Sequence, residues 1–213
     1  MKSNMQDENL MMELKELPFN SKILTTQFDG IHIKLILITR ECENDDEIIT
    51  LLSKWRKENE FWSQAIFKVT NEGTKKWLIN KLIDVRDRLL FIIEINDEYI
   101  GHVGLWKFDF EKRTCEIDNI MRGEHKYPGA IYHSIIVLQD WARETFGIKD
   151  FYLHTLIENE KAIKLYNKLG YKIINEEPLI QVANGDRLEW ISPPKDYKGD
   201  IVRHEVQMML KKV

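Results

Sequence analysis

Residues 159–172 read NEKAIKLYNKLGYK. Asn159 is a natural helix N-cap, because its short side chain accepts from the unpaired N–H groups of a first turn. Ala162 and Tyr166 stand four apart and share one helical face. Gly170 stops the helix, since glycine turns the chain without a Cβ clash. Tyr171 to Ile174 then opens a strand. Just upstream, DFYLHTL at 150–156 reads as a buried strand. The stretch is therefore a strand, a short helix and a second strand.

Farther toward the N-terminus lies MRGEHKYPGAIYHSI, residues 121–135. It carries the strand RTCEIDNIM, residues 113–121, through a Gly/Pro loop into a helix over 129–146. Ile131, Ile135, Leu138 and Ala142 recur on one face of that helix. A strand-to-helix junction leaves backbone N–H groups free at the positive end of the helix dipole, and both favour an anion. Gly129 lets a ligand approach the backbone closely, and Arg122 and Lys126 can screen its charge.

The remaining elements follow from the same patterns. IHIKLILI at 31–38 and LLFIIEI at 89–95 are strands, rich in β-branched residues. Asn96-Asp97-Glu98 turns the second of these back into YIGHVGLWKF, residues 99–108. Helices are expected over 46–59, with Ile48, Ile49, Leu52 and Trp55 inward, and over 71–86, with Trp77, Leu78, Leu82 and Val85 inward. Residues 175–199 are turn-rich and contain Arg187 and Trp190, and 200–210 alternate as a last strand. Residues 1–30 read as an N-terminal extension, partly mobile, with a short helix ended by Pro18; residues 31–213 form one domain. The order is β-α-α-β-β-β-α-β-α-β-β.

Composition narrows the function. The chain has 213 residues, 43% of them hydrophobic, and a formal net charge of −4. That is enough apolar material for a core, and there is no basic excess of the kind nucleic-acid binders carry. Cys42 and Cys115 make neither a disulfide framework nor a metal set, and His32, His125, His154 and His204 have no ligand spacing, so no metal is expected. There is no signal-like leader and no apolar run of membrane length. A cytoplasmic protein without nucleic-acid or membrane partners is expected.

The two runs at 121–135 and 159–172 together resemble the GNAT (Gcn5-related N-acetyltransferase) superfamily. Asn159, Ala162, Tyr166, Gly170 and Tyr171 match one motif of the family. Lys126, Tyr127, Pro128, Gly129 and Ala130 match the start of its pyrophosphate loop, while Ile131 departs from the Gly or Ala that ends it. The likeness covers roughly residues 30–175 and implies an α/β (α+β) fold, with a mixed, mostly antiparallel sheet of about seven strands flanked by about four helices. A narrower resemblance joins FWSQAIFKVTNEGTKKWL, LLFIIEINDEYIGHVGLWKFDF and EIDNIMRGE to enzymes of nucleotide-amino-sugar and surface-polysaccharide biosynthesis.

The resemblance implies transfer of an acetyl group from acetyl-CoA to a primary amine, with an amino-deoxy-sugar nucleotide as the expected acceptor and a homodimer as an admissible assembly. Peptide N-terminal acetylation and a non-enzymatic acyl-CoA-binding module are the alternatives. The coenzyme is expected against Ile120, Met121, Arg122, Lys126, Tyr127, Pro128, Gly129, Ala130, Ile131, Asn159, Ala162 and Tyr166. Tyr166 is the expected acid for the leaving thiolate. The base that frees the amine is left among Glu116 and Asp118, which lie two apart on one strand face, and His102, which has the right proton affinity. Trp55, Arg56, Trp62 and Asn119 are the expected acceptor contacts, and His133 lies beside the coenzyme or at the surface.

Overall fold

The computed structural model describes residues 2–210; Met1 and residues 211–213, the ends of the expected extension and domain, lie outside them. The element order is α1 (Lys2–Lys15), β1 (Ile23–Phe28), β2 (Ile31–Leu37), α2 (Asp46–Glu58), β3 (Ala65–Ile66), α3 (Asn71–Leu78), β4 (Arg88–Ile95), β5 (Glu98–Asp109), β6 (Thr114–Arg122), α4 (Ala130–Phe146), β7 (Asp150–Leu156), α5 (Glu160–Lys168), β8 (Tyr171–Asn184), β9 (Arg187–Ile191) and β10 (Arg203–Leu210). The strands form one sheet in the order β1-β2-β4-β5-β6-β7-β10-β8-β9-β3. Every neighbouring pair is antiparallel except β6 and β7, which run parallel.

Strand alternation sends successive side chains to opposite faces and makes two cores. On one face Ile33, Phe91, Leu105, Ile117 and Leu153 pack with Ile131, Ile135, Leu138 and Ala142 of α4 and with Met11 and Leu14 of α1. On the other, Ile36, Ile38, Leu90 and Ile92 pack with Ile48, Leu52 and Trp55 of α2 and Leu78 of α3. The expected inward faces of α2 and α4 are thus the observed ones. Asp45 caps α2, accepting from Ile48 N at 3.0 Å. Both cysteines are free and buried.

The sheet has ten strands rather than about seven. The segment 1–30 supplies one of them: β1 pairs with β2 from Ile23–Ile36 to Phe28–Ile31, and Met11 is fully buried. Residues 175–199 supply a second, because β8 runs on to Asn184 and turns at Gly185 (φ 59°) into β9, and the two-residue β3 is the third. The helix expected over 71–86 is shorter. Thr70 caps it through Gly73 N at 3.0 Å, and it ends in a π-helical turn, Ile79–Ile83. Among the described residues no helix is long and apolar enough to cross a membrane.

Candidate active site

The parallel strands β6 and β7 pair only at Thr114–Asp150, Cys115–Phe151 and Glu116–Tyr152. Past Glu116, β6 continues to Arg122 and β7 to Leu156 without pairing with each other, so the two strands become the walls of a notch. A bulge reshapes the β6 wall: the step from Gly104 to His102 on β5 faces the longer step from Asp118 to Met121 on β6. Asn119 takes φ 48° in that bulge, and its carbonyl oxygen lies 2.7 Å from His102 Nδ1. A carbonyl only accepts, so Nδ1 carries the ring proton.

The loop after β6 delivers the start of α4 to the same place. Gly129 sits at φ 95°, and a Cβ there would fall 3.1 Å from the Phe28 ring of β1. Ala130 N donates to Tyr127 O and His133 N to Gly129 O, while the N–H groups of Gly129, Ile131 and Tyr132 have no protein acceptor among the described residues. These N–H groups lie in the stretch where the sequence leads one to expect an anion. Its expected cations are engaged locally: Lys126 pairs with Glu98 at 2.9 Å, and Arg122 donates to the carbonyls of Glu124 and His125 at 3.3 and 2.9 Å. The Tyr127 hydroxyl accepts from Asn96 at 3.3 Å. Ile131, where a small residue was expected, is a core side chain under α4, and Ile120 and Met121 pack into the two opposite cores. His133 stacks on Phe28 at 4.5 Å.

From the β7 side, α5 brings in the other motif. Asn159 caps it, accepting from Ala162 N at 3.2 Å. Tyr166 is buried; burial pushes its phenol well above the ordinary value, and its hydroxyl makes no hydrogen bond among the described residues.

Glu116 and Asp118 share a face, as expected, and both are clamped. Lys107 Nζ and His154 Nδ1 each lie 2.9 Å from a Glu116 oxygen. Burial raises the Glu116 carboxyl, but His154 and Lys107 outweigh it and hold the group below its usual value. Arg88 holds Asp118 through Nε and Nη2 at 3.1 and 2.5 Å, and Asn119 Nδ2 adds a bond at 2.6 Å. Burial dominates there, so Asp118 is raised despite Arg88. His102 is buried, and that lowers its imidazole to about 4. A cavity of about 240 Å³ opens on this face between Lys107, Glu116, Tyr152, His154 and Gln207.

Two expected acceptor contacts need correction. Trp55 has no exposed surface; it packs on His102 and so tightly on Gly123 that a Cβ there would fall 2.1 Å from its indole. Arg56 donates to Ser63 Oγ and Ala65 O, both at 2.6 Å, so it ties down its own loop. Trp62 is 43% exposed. Arg187 and Trp190 lie on β9, where Arg187 covers Phe67 and Trp190 lies under Arg203. The sequence reading missed Arg88, Lys107 and His154 as site residues, since each acquires its place only through pairing with a distant strand. Among the described residues no cluster of three or more His, Cys, Asp or Glu could hold a metal.

A family model described as "Acetyltransferase (GNAT) domain" matches residues 36–172. The chain belongs to the GNAT acetyltransferase family. Spermidine N(1)-acetyltransferase of Escherichia coli (strain K12) is 28% identical over 99 residues, 46% of this chain and 53% of the relative. That of Vibrio cholerae is 27% identical over 137 residues, 63% and 78% of the two chains. The chain thus spans about half the length of the first of these curated relatives. Two solved structures share the GNAT fold. One is spermidine N-acetyltransferase from Vibrio cholerae in complex with CoA and spermine, at TM-score 0.56 and 19% identity over 83% of this chain and 94% of that one. The other is the dodecameric form of that enzyme, at TM-score 0.58 and 19% identity over 83% and 92%.

Proposed function

We propose that this GNAT chain transfers the acetyl group of acetyl-CoA to a primary amine of a polyamine, by direct attack in a ternary complex. The observation that carries the reading is the notch itself. Free N–H groups of Gly129, Ile131 and Tyr132 stand at the start of α4, after the loop that leaves β6, where they suit the coenzyme's pyrophosphate. The unpaired stretches of β6 and β7 offer backbone to the pantetheine arm, and the Tyr166 hydroxyl is left to protonate the thiolate as the C–S bond breaks. Residues 31–213 are the unit to which the activity is assigned, with β1 completing the sheet.

The acceptor follows from charge. A nucleotide's phosphates need uncommitted cations, but Arg56, Arg88 and Arg203 are engaged by Ser63 and Ala65, by Asp118, and by Glu158 and Phe61 O. Glu205 on β10, by contrast, bonds only the neutral Gln64 amide at 2.9 Å and joins no ion pair among the described residues. An anion without a counter-charge suits a polycation. With the spermidine acetyltransferases as relatives, this moves the acceptor from the amino-sugar nucleotide to a polyamine. Self-association is part of the same reading: one relative is dodecameric, and Ile173 and Val202 stand exposed here.

The test is incubation with acetyl-CoA and a panel of spermidine, spermine, amino-sugar nucleotides and peptides, with mass-spectrometric detection of acetylated product. A polyamine product is expected. Coenzyme binding with no acetylated amine would reduce the chain to an acyl-CoA-binding module.

A further inference from the structure

We propose that His154, paired with Glu116 across the root of the notch, is the catalytic base that takes the proton from the acceptor amine. The inference rests on the acetyl-transfer reading above and names the proton acceptor of that same site.

The geometry engages the other groups. Glu116 has one oxygen at Lys107 Nζ and the other at His154 Nδ1, both at 2.9 Å. On Asp118 both Arg88 bonds and the Asn119 bond converge on Oδ2, which holds the carboxylate against the guanidinium. His102 is buried against Trp55 with Nδ1 committed to Asn119 O. Its imidazole, lowered to about 4, is also a poor match for an amine whose ordinary value is near ~10.

His154 keeps one ring nitrogen uncommitted. It stands two residues beyond Tyr152, the last residue of β7 to pair with β6, and therefore on the same strand face as that residue. Its side chain remains 22% exposed and lines the cavity of about 240 Å³. Nδ1 faces a Glu116 oxygen at 2.9 Å without an aligned hydrogen bond, and Nε2 makes no hydrogen bond among the described residues, so Nε2 is the nitrogen assigned to the amine. The groups facing the ring are Lys107 from β5, Glu116 from β6, Tyr152 from β7, and Glu205 and Gln207 from β10. Burial lowers the imidazole, but Glu116 and Glu205 outweigh both burial and Lys107, so the ring holds its proton more firmly than an ordinary histidine.

The step balances. Nε2 removes one proton from the ammonium of the acceptor. The amine lone pair forms the C–N bond at the thioester carbonyl, the C–S bond breaks, and the thiolate takes a proton from Tyr166. The proton still on nitrogen returns to the tyrosinate, and His154 releases its own proton to solvent. Glu116 is a positioning residue, whose charge 2.9 Å from Nδ1 stabilises the protonated ring.

The test is a set of pH profiles of kcat/KM for spermidine acetylation by the full chain. The wild type should lose activity on the acid side as His154 protonates, with the inflection above the ordinary histidine value. His154→Gln should lose about 10²- to 10⁴-fold and the inflection with it. Glu116→Gln should keep the inflection but move it to lower pH, and Lys107→Met should move it to higher pH. The ¹⁵N signals of His154 should titrate in parallel, with or without acceptor. His154→Gln that folds, binds coenzyme A and retains wild-type rate and acid limb would overturn the proposal, as would a limb that stays fixed in Glu116→Gln and Lys107→Met. If His154→Gln fails to fold, those two variants decide. A wild type that binds coenzyme A and acetylates no amine overturns the acetyl-transfer reading and this one together; an active wild type matched by His154→Gln overturns this one alone.

Discussion

The ammonium of Lys15 on α1 donates to the carbonyl of Leu82, at 2.7 Å, at the end of the π-helical turn that follows α3. Val85 O receives a second bond at 2.5 Å, and Lys15 has no exposed surface. The helix end is thus capped from another part of the chain, and Arg88, six residues past Leu82, is the residue that grips Asp118.

This cap has a pH signature. Burial lowers the Lys15 amine to about 8 against 10.5 in the open chain. Between those values unfolding takes up a proton, so rising pH opposes unfolding through this group. The contribution is complete above pH 10.5 and lost as pH falls through about 8. Relative to Lys15→Met, the wild type should gain about 3 kcal/mol of stability from pH 8 to 10.5. Denaturant melts of both proteins across that range check it; parallel curves would contradict it.

Tyr166→Phe should leave stability within about 0.5 kcal/mol, since the hydroxyl makes no hydrogen bond among the described residues. Acetyl transfer should nevertheless fall by about 10²-fold or more, because the thiolate loses its acid. The affinity for coenzyme A should hold. Calorimetry beside steady-state rates separates the two effects.

Much of the fold was readable where the deciding interactions are local. Ile131, Ile135 and Leu138 repeat within one helix, and Asn159 caps the turn that follows it. β1 was not readable in the same way: ILTTQF carries two threonines and a glutamine, and it becomes a strand because β2 lies beside it. The continuation of β8 past Ile174 escaped for the same reason, since residues 175–177 are exposed and polar. Trp55 and Trp62 look alike in sequence, yet one is interior and the other peripheral. The candidate site was legible at Glu116, Asp118 and Tyr166, but His154 meets Glu116 only because β7 is threaded parallel to β6.

Gly123→Ala should be costly for a steric reason. The new methyl would overlap the Trp55 indole, and overpacking of this kind destabilises by about 1–3 kcal/mol. A lowered midpoint in thermal melts is the expected result, and an unchanged midpoint would show that Trp55 can move aside.

Glu205→Gln tests the acceptor side. Removing a charge on a half-exposed surface weakens a cation contact by up to about 1 kcal/mol. On the alkaline plateau, above the His154 inflection, KM for spermidine should therefore rise by roughly fivefold or less with kcat unchanged, and the sensitivity of KM to added salt should shrink. An unchanged KM at low salt would place the polyamine elsewhere.

The interior placement of both cysteines has a practical sequel. Burial pushes the Cys42 thiol up to about 11 and the Cys115 thiol higher still, so neither offers a thiolate near neutrality. Disulfide dyes added to the folded protein should register almost no sulfur from the polypeptide. A colour change during turnover can then be read as coenzyme set free, without a correction for the enzyme.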